Sequence, residues 1–237
     1  WYRGFGDWSE VAPPRFGTIL SYTDFIDWKH FIYDNLAADL AMRAAAVREG
    51  APGRVVTSHA AVPSIFYTPH NGYGASDDFL MAQEVDFYGT SMYPKHNHPD
   101  RHWKPWLLRV VVDFSASANR RNGGFYVGEL QAGRGTYGLN VGDPVTASDH
   151  RVWIWSAISR GARAINVYAY YPMSSGYESG GYGLMHQDGS PTPRSIEAGK
   201  TASIIDTNRD ILLASRPVPA EVALVYNPLA QMVGGEQ

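Results

Sequence analysis

The chain contains no cysteine. That excludes disulfides, thiolate metal sites and a cysteine nucleophile, and leaves the compartment open. No run of eighteen apolar residues occurs, so no bilayer-spanning helix and no membrane partner are expected. Charge is sparse: charged residues make up 18%, with 20 basic against 23 acidic side chains and a net charge of −3. Without a basic excess, nucleic acid is not an expected partner. A Gly-x-Ser-x-Gly nucleophile elbow is missing, so Ser-His-Asp hydrolysis has no support. Gly133-Arg134-Gly135 is followed by loop rather than helix, which argues against a nucleotide phosphate site.

What remains is a chain of 237 residues with enough apolar sequence, 44%, for a sizeable core. It has 24 glycines and 15 prolines, hence many loops, and 13% aromatic residues. Aromatic faces serve cores and also stack on the apolar faces of sugar rings. Trp1–Gly6 does not read as a signal peptide, and a cytoplasmic location is the expectation. A start at Trp1 suggests an internal stretch of a longer polypeptide.

Periodicity predicts alternating elements. Phe25, Trp28, Ile32, Leu36, Leu40, Ala44 and Val47 mark a helix over 24–49, with Asp24 as its cap. Strands are expected at 54–58, 85–91, 125–129 and 164–170. Helices are expected at 77–84, at 101–120 with Trp103, Leu107, Val110, Phe114 and Ala118 on its stripe, from Asp143-Pro144 to Arg160, and at 193–213. A further strand is expected at Glu221–Tyr226. Strands joined by helical crossovers imply a parallel sheet, and short continuous apolar strands imply burial on both faces. An α/β barrel and a doubly wound sheet both fit this alternation.

Glu129 stands out because it closes an apolar strand and opens a glycine-containing loop. In a barrel, a carboxylate at that end of a strand points into the catalytic mouth and suits sugar chemistry as nucleophile or acid/base. An ion pair with Arg134 or Arg151 would make it structural instead. Tyr93 can hold a neighbouring carboxylate ionised by donating to it, or can simply form a Tyr-Pro turn. His59 can donate to a substrate hydroxyl, or satisfy a strand-end carbonyl. His96-Asn97-His98 and His102 sit in a polar loop, which favours a solvated cluster over zinc. No metal and no cofactor are expected. The loop after the fourth strand, with Tyr170, Tyr177, Glu178 and Tyr182, can wall a sugar subsite or lie free at the surface.

Several segments together resemble one family. They are Phe5-Gly6-Asp7-Trp8-Ser9-Glu10-Val11-Ala12-Pro13-Pro14-Arg15, Asp24-Phe25-Ile26-Asp27-Trp28, Val85 to Pro94, Gly128-Glu129-Leu130-Gln131-Ala132-Gly133, and Gly183 to Arg194. In this order, across nearly the whole chain, they resemble glycoside hydrolase family 42 β-galactosidases, retaining enzymes built on the (β/α)8 TIM barrel. The resemblance implies that the four strands are the fifth to eighth of the barrel. It implies Glu129 as nucleophile, Tyr93 as its orienting partner and Glu178 as a galactose-binding residue; His59 and Tyr170 are counted as substrate-binding candidates on the residue reading above. It further implies a terminal β-galactoside substrate and a homotrimer in the full-length protein. Residues 1–216 would be the C-terminal half of the barrel, and 217–237 a linker and the first strand of a trimerisation-like domain. One part of the pattern is missing. The family's acid/base belongs to an Asn-Glu pair, and this chain has no such dipeptide. The acid/base is thus expected upstream of Trp1. Two alternatives stand beside this reading: a catalytically incomplete barrel that binds sugar or serves assembly, and an α-L-arabinopyranosidase.

Overall fold

The computed structural model describes residues 4–14, 22–66, 76–96, 102–137 and 140–234. The chain runs through α1 (Tyr22–Gly50), β1 (Thr57–Ala60), α2 (Asp78–Met81), β2 (Phe87–Met92), α3 (Pro105–Ala118) and β3 (Phe125–Gln131). It continues through β4 (Thr136–Tyr137), β5 (Asn140–Val141), α4 (Ala147–Ser159), β6 (Ala162–Tyr168), α5 (Pro193–Thr207), α6 (Arg209–Ala214) and α7 (Pro228–Gly234). Among the described residues, no helix is long and apolar enough to cross a membrane.

Four strands form one parallel sheet in the order β1-β2-β3-β6, and β4 and β5 make a small antiparallel pair. The order never reverses along the chain. A doubly wound sheet reverses at its switch point; no reversal falls among these four strands, as expected for consecutive strands of a barrel. Helices α3, α4 and α5 lie side by side, with α3 against β2 and α4 against β6. Between sheet and helices sits the main core, built from Met92, Val111, Phe125, Val127, Leu130 and Trp153 with their neighbours. A second cluster joins α1 to the start of the sheet through Ala44, Val56, Val85 and Tyr88.

Several element boundaries differ from the periodicity reading, each for a local reason. The helix expected from Asp143-Pro144 starts at Ala147, because Thr146 and Asp149 form a reciprocal capping box that satisfies the first-turn N–H groups. The helix expected over 193–213 breaks at Asn208, which ends α5 and precedes α6. The buried stripe of α3 is Leu108, Val111, Val112, Phe114 and Ser115, rotated from the expected Leu107 and Val110. β1 begins at Thr57 rather than at residue 54, and a carboxylate oxygen of Asp86 takes the Val56 N–H at 2.7 Å. No strand forms at Glu221–Tyr226, because no neighbouring strand offers it a ladder among the described residues. The segment instead leads into α7, whose Leu229 packs with Phe25 and Tyr33 of α1.

Candidate active site

Strict alternation along β3 would put Glu129 on the same face as Phe125 and Val127, which face the helices. The structure puts it on the other face. Thr90 pairs with Val127 but Ser91 pairs with Glu129, so Gly128 is an extra residue in β3. Such a bulge reverses the side-chain alternation beyond it. Leu130 then enters the core, and Glu129 turns to the opposite face at the C-terminal end of the sheet. Glycine is required at the bulge. A Cβ on residue 128 would sit 2.1 Å from the ring of His59. The Gly128 carbonyl accepts from Asn166 Nδ2 at 3.0 Å, which anchors the bulge to β6.

The two oxygens of Glu129 have different surroundings. Oε2 accepts from Tyr93 Oη at 2.6 Å and from Ser91 Oγ at 3.2 Å. Oε1 faces His59 Nε2 at 3.9 Å, beyond hydrogen-bond length. The side chain of Glu129 is 33% exposed. Burial, and next the bond to Glu129, push the Tyr93 phenol well above its ordinary range. Tyr93 therefore stays an O–H donor at any working pH. The alternative arginine pairing of Glu129 is not found among the described residues, and Arg151 pairs with Glu197 instead.

A second carboxylate approaches from the loop after β6. Glu178 Oε2 accepts from Tyr168 Oη at 2.7 Å, and Tyr168 is the last residue of β6. That bond first, and burial second, push the Tyr168 phenol up to about 12. Tyr93, Tyr168 and Tyr182 pack edge to face, with ring centroids 5.5–6.3 Å apart. His96 lies against both Tyr93 and Tyr182. The sequence reading gave no role to Ser91 or Tyr168 and treated His96 as a solvated loop residue. A serine and a tyrosine near strand ends carry no local signal of this kind. Their partners come from strands 38 residues apart and from a loop 10 residues away, respectively.

The structure thus brings His59, Tyr93 and Glu129 together, and puts Glu178 beside Tyr168. Tyr170 stands apart. It is exposed, packs edge-on against Tyr171, and borders a groove of about 980 Å³ between β6, α4, α5 and α6. That groove is lined mainly by apolar side chains such as Ile154, Ile158, Val167 and Ile205, with no carboxylate. Three or more metal-ligating side chains do not gather anywhere among the described residues, and His98 lies outside them. The cluster therefore offers two carboxylates held by neutral phenols. One of them, Glu129, keeps one oxygen uncovered, an arrangement suited to meeting the positive charge that develops at a sugar's anomeric carbon.

A relative, the β-galactosidase BgaH of Haloferax lucentense, is 25% identical over 241 residues, covering 96% of this chain and 33% of that protein. The polyextremophilic β-galactosidase of the Antarctic haloarchaeon Halorubrum lacusprofundi superposes with a TM-score of 0.70 at 21% identity, over 95% of this chain and 33% of that one. The cold-adapted β-galactosidase of Rahnella sp. R3 superposes with a TM-score of 0.74 at 15% identity, over 95% and 32%. The chain spans about a third of the length of these relatives, and its sheet is the matching part of their barrel fold. The model of glycoside hydrolase family 42, described as β-galactosidase, matches residues 1–207, and the chain belongs to that family.

Proposed function

We propose that this chain carries the nucleophile half of a retaining β-galactosidase. The single observation behind the reading is the asymmetric carboxylate of Glu129. Its Oε2 is held by Tyr93 and Ser91, while Oε1 faces His59 Nε2 at 3.9 Å, beyond hydrogen-bond length. In the first step Oε1 attacks the anomeric carbon, and the bond to the leaving oxygen breaks. The covalent galactosyl-enzyme then reacts with water, and Glu129 leaves as a carboxylate. Retention follows from two inversions and requires a second carboxyl roughly 5–5.5 Å from the first. That acid/base belongs, in this reading, to a segment outside this chain. Glu178, oriented by Tyr168, binds hydroxyls of the terminal sugar, and His59 faces the uncovered side of the nucleophile.

The reading extends to the domain plan. Residues 1–216 form the C-terminal half of a barrel, and 217–237 lead toward a following domain and a homotrimer. The exposed apolar side chains Val218, Val222, Leu224 and Val225 support a further packing partner there. The test is labelling of the family-length enzyme with a 2-deoxy-2-fluoro-galactoside, followed by peptide mapping and by NMR of the first-formed anomer. A label on Glu129 and a β-anomer are expected; an α-anomer would overturn the reading. A second reading, sugar binding without turnover, draws support from one observation. Among the described residues the hydrogen-bonded shell of Glu129 contains only hydroxyls and no second carboxyl. It predicts that the isolated chain binds galactosides without covalent labelling.

A further inference from the structure

The loop that carries Glu178 is closed at its base by one residue, Tyr182. Its backbone carbonyl accepts from Ala169 N at 2.8 Å, and its N–H donates to Arg134 O at 2.8 Å. These bonds tie the end of the loop to the end of β6 and to the segment after β3. The side chain continues the tie. Tyr182 Oη donates to Thr136 O at 3.0 Å and lies 2.6 Å from His96 Nε2. The hydroxyl has a single proton, and that proton is used on Thr136. With that proton on Thr136 O, the tautomer of His96 protonated at Nε2 donates to Tyr182 Oη.

Tyr182 is 1% exposed and adopts φ +61, the left-handed region in which non-glycine residues are uncommon. A buried tyrosine held there needs strong local fixation. The residues around it leave no slack. A Cβ on Gly133 would sit 2.4 Å from Gly183 O, and one on Gly181 would sit 2.3 Å from Thr136 Oγ1. Inside the loop, Gly180 N donates to Met173 O and Gly181 N to Glu178 O, so the segment bearing Glu178 is itself compact. Three loops, following β2, β3 and β6, thus meet at one phenol.

We propose that Tyr182 and His96 form a positioning pair that sets Glu178 against the sugar site, with Tyr182 Oη as the shared point. The pair does not touch the reacting atoms. The proposal rests on the reading of Glu178 as a sugar-binding residue. In the family-length enzyme, Tyr182→Phe keeps the ring and its packing on Tyr93, and removes only the hydroxyl. KM for a β-galactoside should rise about 5- to 30-fold, with kcat changed less than about threefold. A double-mutant cycle with Glu178→Gln should be strongly non-additive, because both changes act on one contact. His96→Ala should raise KM similarly, and His96→Gln, whose amide can donate to the same oxygen, should restore it. An unchanged KM in Tyr182→Phe, or an additive cycle, overturns the proposal. If Glu178→Gln alone leaves KM unchanged, the sugar-binding reading fails instead. Hydrogen exchange of amides 173–181 then judges the pair: faster exchange in Tyr182→Phe supports it, and unchanged exchange refutes it.

Discussion

Replacing Tyr93 by phenylalanine removes one oxygen from the site and leaves the aromatic packing in place. The lost contact is the 2.6 Å bond donated to Glu129 Oε2. Bonds to a charged group are commonly worth about 1.5–3 kcal/mol. The carboxylate is 33% exposed and keeps its Ser91 bond, so the lower part of that range, about 1.5–2 kcal/mol, applies. This corresponds to about 10- to 30-fold in rate. The physics also says where the loss falls. In the proposed glycosylation step Glu129 gives up its charge as it bonds to carbon, so a donor on Oε2 contributes less in the transition state than before it. In deglycosylation the charge returns, and the same donor stabilises the departing carboxylate. Tyr93→Phe should therefore slow the second step. With an aryl β-galactoside bearing a good leaving group, the family-length variant should show a burst of phenol followed by a slow steady state, and intact-mass spectra should show galactosyl-enzyme accumulating. A slower burst phase with no accumulating intermediate would refute the argument.

Other outcomes follow from the same contacts. Glu129→Ala should lose turnover and, given azide, yield the α-galactosyl azide; absence of that product would remove Glu129 as the nucleophile. Gly128→Ala forces a Cβ to 2.1 Å from the His59 ring, and Gly89→Ala forces one to 1.8 Å from Tyr126 O. A side chain can yield and a backbone carbonyl cannot. Urea midpoints should thus report a loss of about 1–3 kcal/mol for Gly128→Ala and a larger one for Gly89→Ala. Asp78 is buried, accepts from Ser64 N, and has its pKa raised by burial to about 6. The native state therefore holds the proton more tightly than the unfolded chain. Stability from this group is present at low pH and is lost as pH rises from about 4 through about 6, by at most about 3 kcal/mol. Asp78→Asn should flatten that stretch of a plot of Tm against pH, and an unchanged slope would contradict the assignment. Asn119 bonds both the N–H and the carbonyl of Tyr88, at 2.8 and 2.9 Å, so Asn119→Ala should cost about 2–3 kcal/mol in chemical unfolding.

The parallel order of the four strands was legible because alternation of element type needs only local periodicity. The resemblance singled out Glu129 and Tyr93, since both lie in contiguous motifs, and the structure places the two side chains in hydrogen-bond contact. Alternation along Phe125–Glu129, taken alone, would have buried Glu129. The cue to the contrary was Gly128, a glycine inside a strand, which commonly marks a bulge. The capping box at Thr146 and Asp149 was also readable, but Asp143-Pro144 offered a competing start three residues earlier. Tyr168 was unreadable as a site residue, and Tyr182 was readable only as a member of the loop that could wall a sugar subsite. Their roles depend on hydroxyl partners contributed by other loops, and sequence spacing does not encode those contacts. The rotation of the α3 stripe had a similar origin: the sheet chose the buried face, and the helix period alone did not.

The ends of the sheet have a mechanical consequence. Among the described residues, β1 has a sheet neighbour only in β2, and β6 only in β3. All strands run in one direction, so the two free rims are not alike. A second copy can continue the parallel order only by setting its β1 rim against the first copy's β6 rim, a head-to-tail contact, whereas pairing like rims across a two-fold makes an antiparallel seam. Eight strands are enough to close a barrel, and a rotation that brings the last rim back to the first would stop growth at two copies. Any other rotation leaves a free rim after every addition, and the same backbone groups that order the sheet would then drive open-ended polymerisation.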